Sequence, residues 1–216
     1  MSALRHAPYA PYARSSSPLM RRSAVVLGAA VAIGLAGCSA MQAQNPSSAL
    51  QPVNAVPAEG ADRLMLAGHD VVAYFTQGRH AMGDARFQSV HEGVTFRFAS
   101  AEHKALFDAA PKKYLPQFNG YCANGIVYGI PWGGDADSWR VIDGRLYIFG
   151  GAGSRDAFLL DVPGNVKLAE RYWAEEVAGS NSFVQRAKRL VFRVPHYKSG
   201  EELAQMVAAA GAKPKP

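Results

Sequence analysis

Apolar and polar positions alternate most clearly between residues 87 and 149. Residues 87–90 and 94–98 flank His91-Glu92-Gly93 and predict a hairpin. In its second arm Phe96 and Phe98 point one way, Thr95 and Arg97 the other. Residues 139–142 and 146–149 around Asp143-Gly144 predict a second hairpin, the clearest turn signal in the chain. Val71-Val72-Ala73-Tyr74-Phe75 is a short apolar run that predicts a strand. Ser100 is placed to cap a helix over Ala101–Ala109, with Leu106 and Phe107 as its core face and Pro111 as its end. Asn119-Gly120-Tyr121-Cys122-Ala123-Asn124-Gly125 predicts a Gly-punctuated loop or tight strand.

Beyond Gly150 the period becomes helical. Gly164-Asn165 opens a predicted helix whose stripe is Val166, Leu168, Ala169, Tyr172, Trp173 and Val177, closed by Gly179. A second helix is predicted over Ser182–Val191. A third, over residues 199–210, opens with Ser199-Gly200-Glu201-Glu202, acid at its positive end. The class is therefore α+β: a small antiparallel sheet with a short central helix, followed by C-terminal helices.

The N-terminal part reads differently. Arg21-Arg22, an apolar run over residues 23–37 and Leu35-Ala36-Gly37-Cys38 form a lipoprotein export signal, so Cys38 is expected to become a lipid-bearing N-terminus. The 15-residue run is short of the ~20 residues that span a bilayer. Met20 would start an ordinary signal of its own, leaving residues 1–19 as an extension. Ser39, rather than Asp, after the lipidated Cys directs such a protein to the outer membrane, on its periplasmic side. Residues 38–60 are rich in Gln, Ser, Pro, Ala and Asn and read as a flexible tether. Residues 61–178 form the expected folded domain, and 179–216 a helical extension ending in the disordered tail Lys213-Pro214-Lys215-Pro216.

Processing also changes the charge. Of 23 basic side chains, Arg5, Arg14, Arg21 and Arg22 precede Cys38 and no acidic ones do; 19 basic against 17 acidic remain, a net of +2. The basic balance belongs largely to the export signal and does not argue for a nucleic-acid partner. With Cys38 lipidated, Cys122 has no intramolecular disulfide partner.

Gly68-His69-Asp70-Val71-Val72-Ala73-Tyr74-Phe75 resembles the Gly-Tyr-Asp-Pro-Val-Ala-Tyr-Phe opening of the YHS domain family in its stand-alone exported form. Val94-Thr95-Phe96-Arg97-Phe98-Ala99-Ser100-Ala101-Glu102-His103-Lys104-Ala105-Leu106-Phe107 is similar to that family's strand-to-helix centre. Pro111-Lys112-Lys113-Tyr114-Leu115-Pro116-Gln117-Phe118-Asn119-Gly120-Tyr121-Cys122-Ala123 resembles its Pro-x-x-Tyr-x-Pro-Gln-Tyr-Gly-Gly-Tyr-Cys-Ala segment. The resemblance spans residues 64–177 and implies a fold, not a reaction. Related metal-handling modules bind metal through thiolates. Those positions fall here on Ala73, Ala99 and His103, so the cysteine-based metal site does not carry over.

Candidate chemistry is sparse. Cys122, His103 and His69 are the candidate ligands for a rebuilt site, with copper or zinc as the metal, and Tyr121 and Trp132 as neighbours of a bound molecule. His69 and Asp70 are adjacent, so on extended backbone they face opposite ways. Cys122 reads either as a small buried thiol or as a reactive one served by His103 or His69. Asp135 and Asp137 form a small acidic turn beside Trp132, without the spacing of a calcium loop. Arg186, Lys188, Arg189 and Arg193 form a basic helix that could lie on anionic lipid or simply face solvent. Three functions follow in order. The first is a lipid-anchored binding module for a metal ion or small ligand near Cys122, His103 and His69. The second is an envelope lipoprotein that binds a protein partner through Trp132 or residues after Val177. The third is a thiol enzyme using Cys122. No paired carboxylates at a recognisable catalytic spacing, nucleophile elbow or phosphate loop argues for catalysis.

Overall fold

The structure, a computed structural model, describes residues 45–211. The export signal, Cys38 and the tail Lys213-Pro214-Lys215-Pro216 lie outside the described residues. In chain order the elements are β1 (Ala55–Ala58), β2 (Ala61–Met65), α1 (Ala73–Thr76), β3 (Asp84–His91), β4 (Val94–Phe98), α2 (Ala101–Ala109), α3 (Pro111–Tyr114), α4 (Ala123–Ile126), β5 (Asp135–Ile142), β6 (Arg145–Phe149), α5 (Ala152–Leu159), α6 (Val162–Tyr172), α7 (Ser182–Val191) and α8 (Gly200–Gly211). A π-helical turn, Trp173–Val177, follows α6. The class is α+β, as the periodicity implies. Among the described residues no helix is long and apolar enough to cross a membrane.

Both predicted hairpins form. β3 and β4 pair antiparallel through His91↔Val94, with Glu92 and Gly93 at φ 51° and 68°. β5 and β6 pair through Ile142↔Arg145, with Asp143 and Gly144 at φ 50° and 70°. Both turns use the doubly left-handed geometry that matches strand twist. The larger sheet has the order β1-β2-β4-β3 and is mixed rather than antiparallel, because β2 and β4 run parallel at Leu64↔Thr95. The intervening turns, α1 and β3 supply the crossover that a parallel pair needs.

β6 divides the core. Its alternate residues Leu146 and Ile148 join Phe96, Phe98, Phe107, Tyr114 and Val71. The intervening Tyr147 and Phe149 join Phe158, Tyr172, Ile126 and Val194. These four side chains are fully buried, so both faces of β6 meet core.

Several expectations are corrected. The tether does not extend to residue 60: Ser48, Leu50 and Val53 are buried, the Asn54 amide donates to Asn119 O at 3.0 Å, and β1 follows. Apolar residues this sparse, set among Pro and Asn, carry no period, yet backbone and Asn bonds pin them. The run 71–75 is a turn leading into α1, not a strand. Asp70 Oδ1 accepts from Val72 N (2.8 Å) and Ala73 N (3.3 Å), which bends the chain into a helix, and periodicity alone cannot separate the two. Pro111 does not merely end a helix; it opens α3 at the position where its missing N–H costs nothing. Residues 119–125 are neither loop nor strand throughout, since α4 starts at Ala123 with Cys122 as its cap. α6 begins at Val162, before Gly164, because the Asp161 side chain accepts from Gly164 N.

The segment after 178 is not detached from the domain. Gly179 N donates to Gln51 O at 2.9 Å, Gln185 Nε2 to Gly129 O at 3.0 Å, and Val194 is buried. Glu176 holds α7 in place. It accepts from Lys188 Nζ (2.9 Å), Gln185 Nε2 (3.1 Å) and Arg189. Burial alone pushes the Glu176 pKa up, but the hydrogen bonds from Lys188 and Gln185 and the charge of Arg189 outweigh it, holding it below the ordinary 4.5. A depressed carboxylate contributes stability that is present above its unfolded pKa and is lost as pH falls through the folded one. Glu176→Ala is therefore expected to cost about 2 kcal/mol at pH 7 by removing the charged hydrogen bonds to Arg189, whose side chain is 10 % exposed. The difference from wild type should shrink in urea titrations taken below pH 4.5. A difference independent of pH would show that the charge of Glu176 does not hold α7.

Candidate functional site

Leu66, Ala67 and Gly68 occupy left-handed conformations, with φ of 47°, 53° and 90°. At Gly68 any other residue would be strained. This turn delivers His69 and Asp70 on extended backbone with opposite exits. Asp70 goes inward and is fully buried; His69 goes outward to a pocket.

Asp70 is a hub. Besides Val72 N and Ala73 N, its Oδ2 accepts from Ala99 N at 2.8 Å and from His103 Nδ1 at 2.6 Å. These bonds tie the His69 turn, the end of β4 and α2 together. His103 sits in the first turn of α2, its backbone N–H donating to the Ser100 cap at 3.1 Å. Its Nε2 lies 3.2 Å from Thr76 Oγ1 and 3.4 Å from Gln77 Nε2. Nδ1–H donates to the carboxylate, and the Gln77 amide is a donor, so Nε2 serves as an acceptor. Both ring nitrogens are thus committed within the protein, which leaves no lone pair for a metal. Thr76, His103 and Asp70 stand in the order of a hydrolytic relay. However, the Thr76 hydroxyl donates to Val72 O at 3.1 Å, and neither Thr76 nor His103 lines the pocket beside them.

Cys122 lies elsewhere. It is 3 % exposed; its Sγ accepts from Gly125 N at 3.4 Å and lies 3.1 Å from Ser154 Oγ. Its own N–H donates to Trp132 O at 2.9 Å. No cation or imidazole is among these partners, which is the environment of an inert, packed thiol. Tyr121 is also buried, its hydroxyl donating to Val53 O at 3.2 Å; burial raises its pKa, opposed by a Ser182 hydrogen bond and the charge of Arg186. Trp132 is 43 % exposed with Arg186 5.9 Å from its ring centre.

The expected convergence of Cys122, His103 and His69 on copper or zinc does not occur. Among the described residues no three His, Cys, Asp or Glu side chains are placed to hold a metal ion. The physical reason is topological: Cys122 caps α4 beside α5, His103 is spent on Asp70, and His69 faces the other side of its turn.

What the turn does build is a pocket of about 460 Å³, lined by His69, His80, Asn54, Asp135, Ala136 and Asp137 among others. The His69 and His80 rings stack 5.8 Å apart at 29°. His69 Nδ1 lies 3.0 Å from Leu66 O; a carbonyl only accepts, so the proton sits on Nδ1 and Nε2 is left for other partners. Asp135 and Asp137 lie at the start of β5, where its register with β6 shifts, and both line the pocket. Both are exposed, and neither has an ion-pair partner among the described residues. The segment between them is fixed from beneath, since Tyr74 OH donates to Ala136 O at 2.6 Å. Burial, then the charges of Asp137 and Asp70, raise the Tyr74 pKa, so this hydroxyl remains a donor. Asn54 Nδ2 donates to Gly120 O (2.9 Å) and Gly134 O (3.2 Å), which sets the other wall.

His80 and Asn54 had no signal in the sequence: His80 lies in a polar turn and Asn54 in the supposed tether. His69 and the acidic turn did.

No family model, no curated protein and no solved structure matches the chain.

Proposed function

We propose that this chain is a YHS-like binding module, lipid-anchored through Cys38 on the periplasmic side of the outer membrane. Its ligand is a small organic cation carrying hydrogen-bond donors. The observation that carries this reading is the pocket that places the exposed carboxylates Asp135 and Asp137 with the stacked imidazoles of His69 and His80. Two carboxylates with no ion-pair partner among the described residues favour a positive charge on whatever enters. Imidazole Nε2 atoms accept or donate hydrogen bonds at neutral pH and orient a polar molecule. The volume suits a small molecule rather than a bare ion, and few polar groups on a preformed concave surface are what such sites use. Asp70, one residue from His69, supports the wall rigidly without entering the pocket.

Thermal-shift screening of the full chain against small amines, carboxylates, sugars, Cu(II) and Zn(II) tests it. A subset of the amines is expected to raise the melting temperature of wild type and to leave Asp135→Asn/Asp137→Asn unmoved. Stabilisation by anions, or by Zn(II) or Cu(II) alone, or no stabilisation by any compound, would retire the reading.

A further inference from the structure

α7 is amphipathic and sits in the fold the wrong way round. Its polar residues Ser182, Gln185 and Arg189 are the buried ones, bound through Glu176 and Gly129 O. Phe183, Val184, Ala187, Leu190 and Val191 follow the i, i+3/i+4, i+7 spacing of a single face, and that face is exposed. Phe183 is 65 % exposed, Leu190 60 %, Val191 73 %, and Phe192 at the helix end 68 %. Scattered apolar residues on a surface need no explanation, but a contiguous stripe of this size marks a contact site.

We infer that this face of α7 lies on an anionic lipid surface. Three observations choose lipid over a protein partner. First, the segment 182–193 has no acidic residue; Lys188 and Arg189 are bonded to Glu176, and Arg186 and Arg193 add two cations that have no ion-pair partner among the described residues. Arg186 and Lys188 border the stripe on its two sides, the arrangement of a helix lying in the interface with its apolar face ~5–10 Å into the headgroup boundary. Second, the half-exposed Trp132 adjoins the stripe through Arg186, and Trp favours the membrane–water boundary. Third, Gly179, three residues before α7, bonds Gln51. The lead-in of the domain and the start of α7 therefore lie together. Cys38 is 13 positions before Gln51, so an anchored chain keeps this end within about 45 Å of the bilayer even when fully extended.

The test uses the full chain with Cys38→Ala, which removes any lipid anchor. Co-sedimentation is measured with vesicles of phosphatidylethanolamine and phosphatidylglycerol, and with phosphatidylcholine alone. The expected result is partition onto the anionic vesicles that falls about tenfold or more in Phe183→Ser/Leu190→Ser. Arg186→Gln/Arg193→Gln should lose a similar factor, about tenfold, on anionic vesicles, and little on phosphatidylcholine. Both pairs are surface changes, so melting temperatures check that the fold survives, and the Arg pair stands if the apolar pair does not fold. Equal partition of parent and both variants overturns the inference, because residues 23–37 would then carry all binding. It is likewise overturned if vesicles do not bind and light scattering shows self-association that Phe183→Ser/Leu190→Ser abolishes, which would make the face a protein interface.

Discussion

Asp70→Ala is expected to cost about 4 kcal/mol, a large share of the ~5–15 kcal/mol that a domain of this kind has in total. Asp70 is fully buried and accepts from three backbone N–H groups and from His103. Alanine strands all of them. Each buried donor left without a partner costs about 1–3 kcal/mol, and neighbours in one cluster do not add in full. Asp70→Asn separates charge and acceptor count from shape. Its amide oxygen can still serve Val72 N and Ala73 N, but its NH2 then meets Ala99 N–H. His103 can switch tautomer to accept from that amide, with Nε2–H donating to Thr76 Oγ1 and the 3.4 Å bond from Gln77 given up; Ala99 N has no such remedy. Asn should therefore cost about half as much as Ala, roughly 2 kcal/mol. Urea denaturation followed by circular dichroism measures both. A loss below about 1 kcal/mol for Asp70→Ala would mean that the hub does not hold the turn, the strand end and the helix together.

The same hub shows where sequence reasoning reaches and where it stops. The two hairpins were legible because a period of two meets a left-handed-tolerant turn, Glu92-Gly93 and Asp143-Gly144. The Ser100 cap was legible because its chemistry is local. The run 71–75 was not, because its conformation is dictated by a side chain, Asp70, whose other partners lie about thirty residues away on Ala99 and His103. α7 was legible as a helix over Ser182–Val191, but periodicity does not say which face is buried. Only Glu176 and Gly129 O, contributed by other segments, decide that the polar face goes inward. The pocket divides in the same way. His69 and the Asp135/Asp137 turn could be singled out as residue types. Their meeting with His80 and Asn54 depends on long-range pairing, such as the His69↔Met82 bridge and the Asn54 bonds to Gly120 and Gly134. Cys122, His103 and His69 looked like one ligand set only because the chain gave no distance between them.

Phe107→Ala is expected to cost about 3–5 kcal/mol, the range for emptying a buried aromatic site. Phe107 is 1 % exposed, with ring centres 4.7 Å from Phe96 and 5.1 Å from Phe98, and His91 edge-on at 6.0 Å. These contacts clamp α2 to β4 and the end of β3. Phe107→Leu keeps most of the volume but not the ring shape, and should cost about 1.5 kcal/mol or less. Phe107 lies one turn after His103 on the same helix face, so the two buried side chains dock α2 jointly. The double variant Asp70→Asn/Phe107→Ala should consequently lose less than the sum of its single losses, with a coupling of about 1 kcal/mol, since α2 loosened by one change has less to lose from the other. Full additivity would mean that the aromatic clamp and the Asp70–His103 bond act independently, and that the wall behind His69 is held by the carboxylate alone.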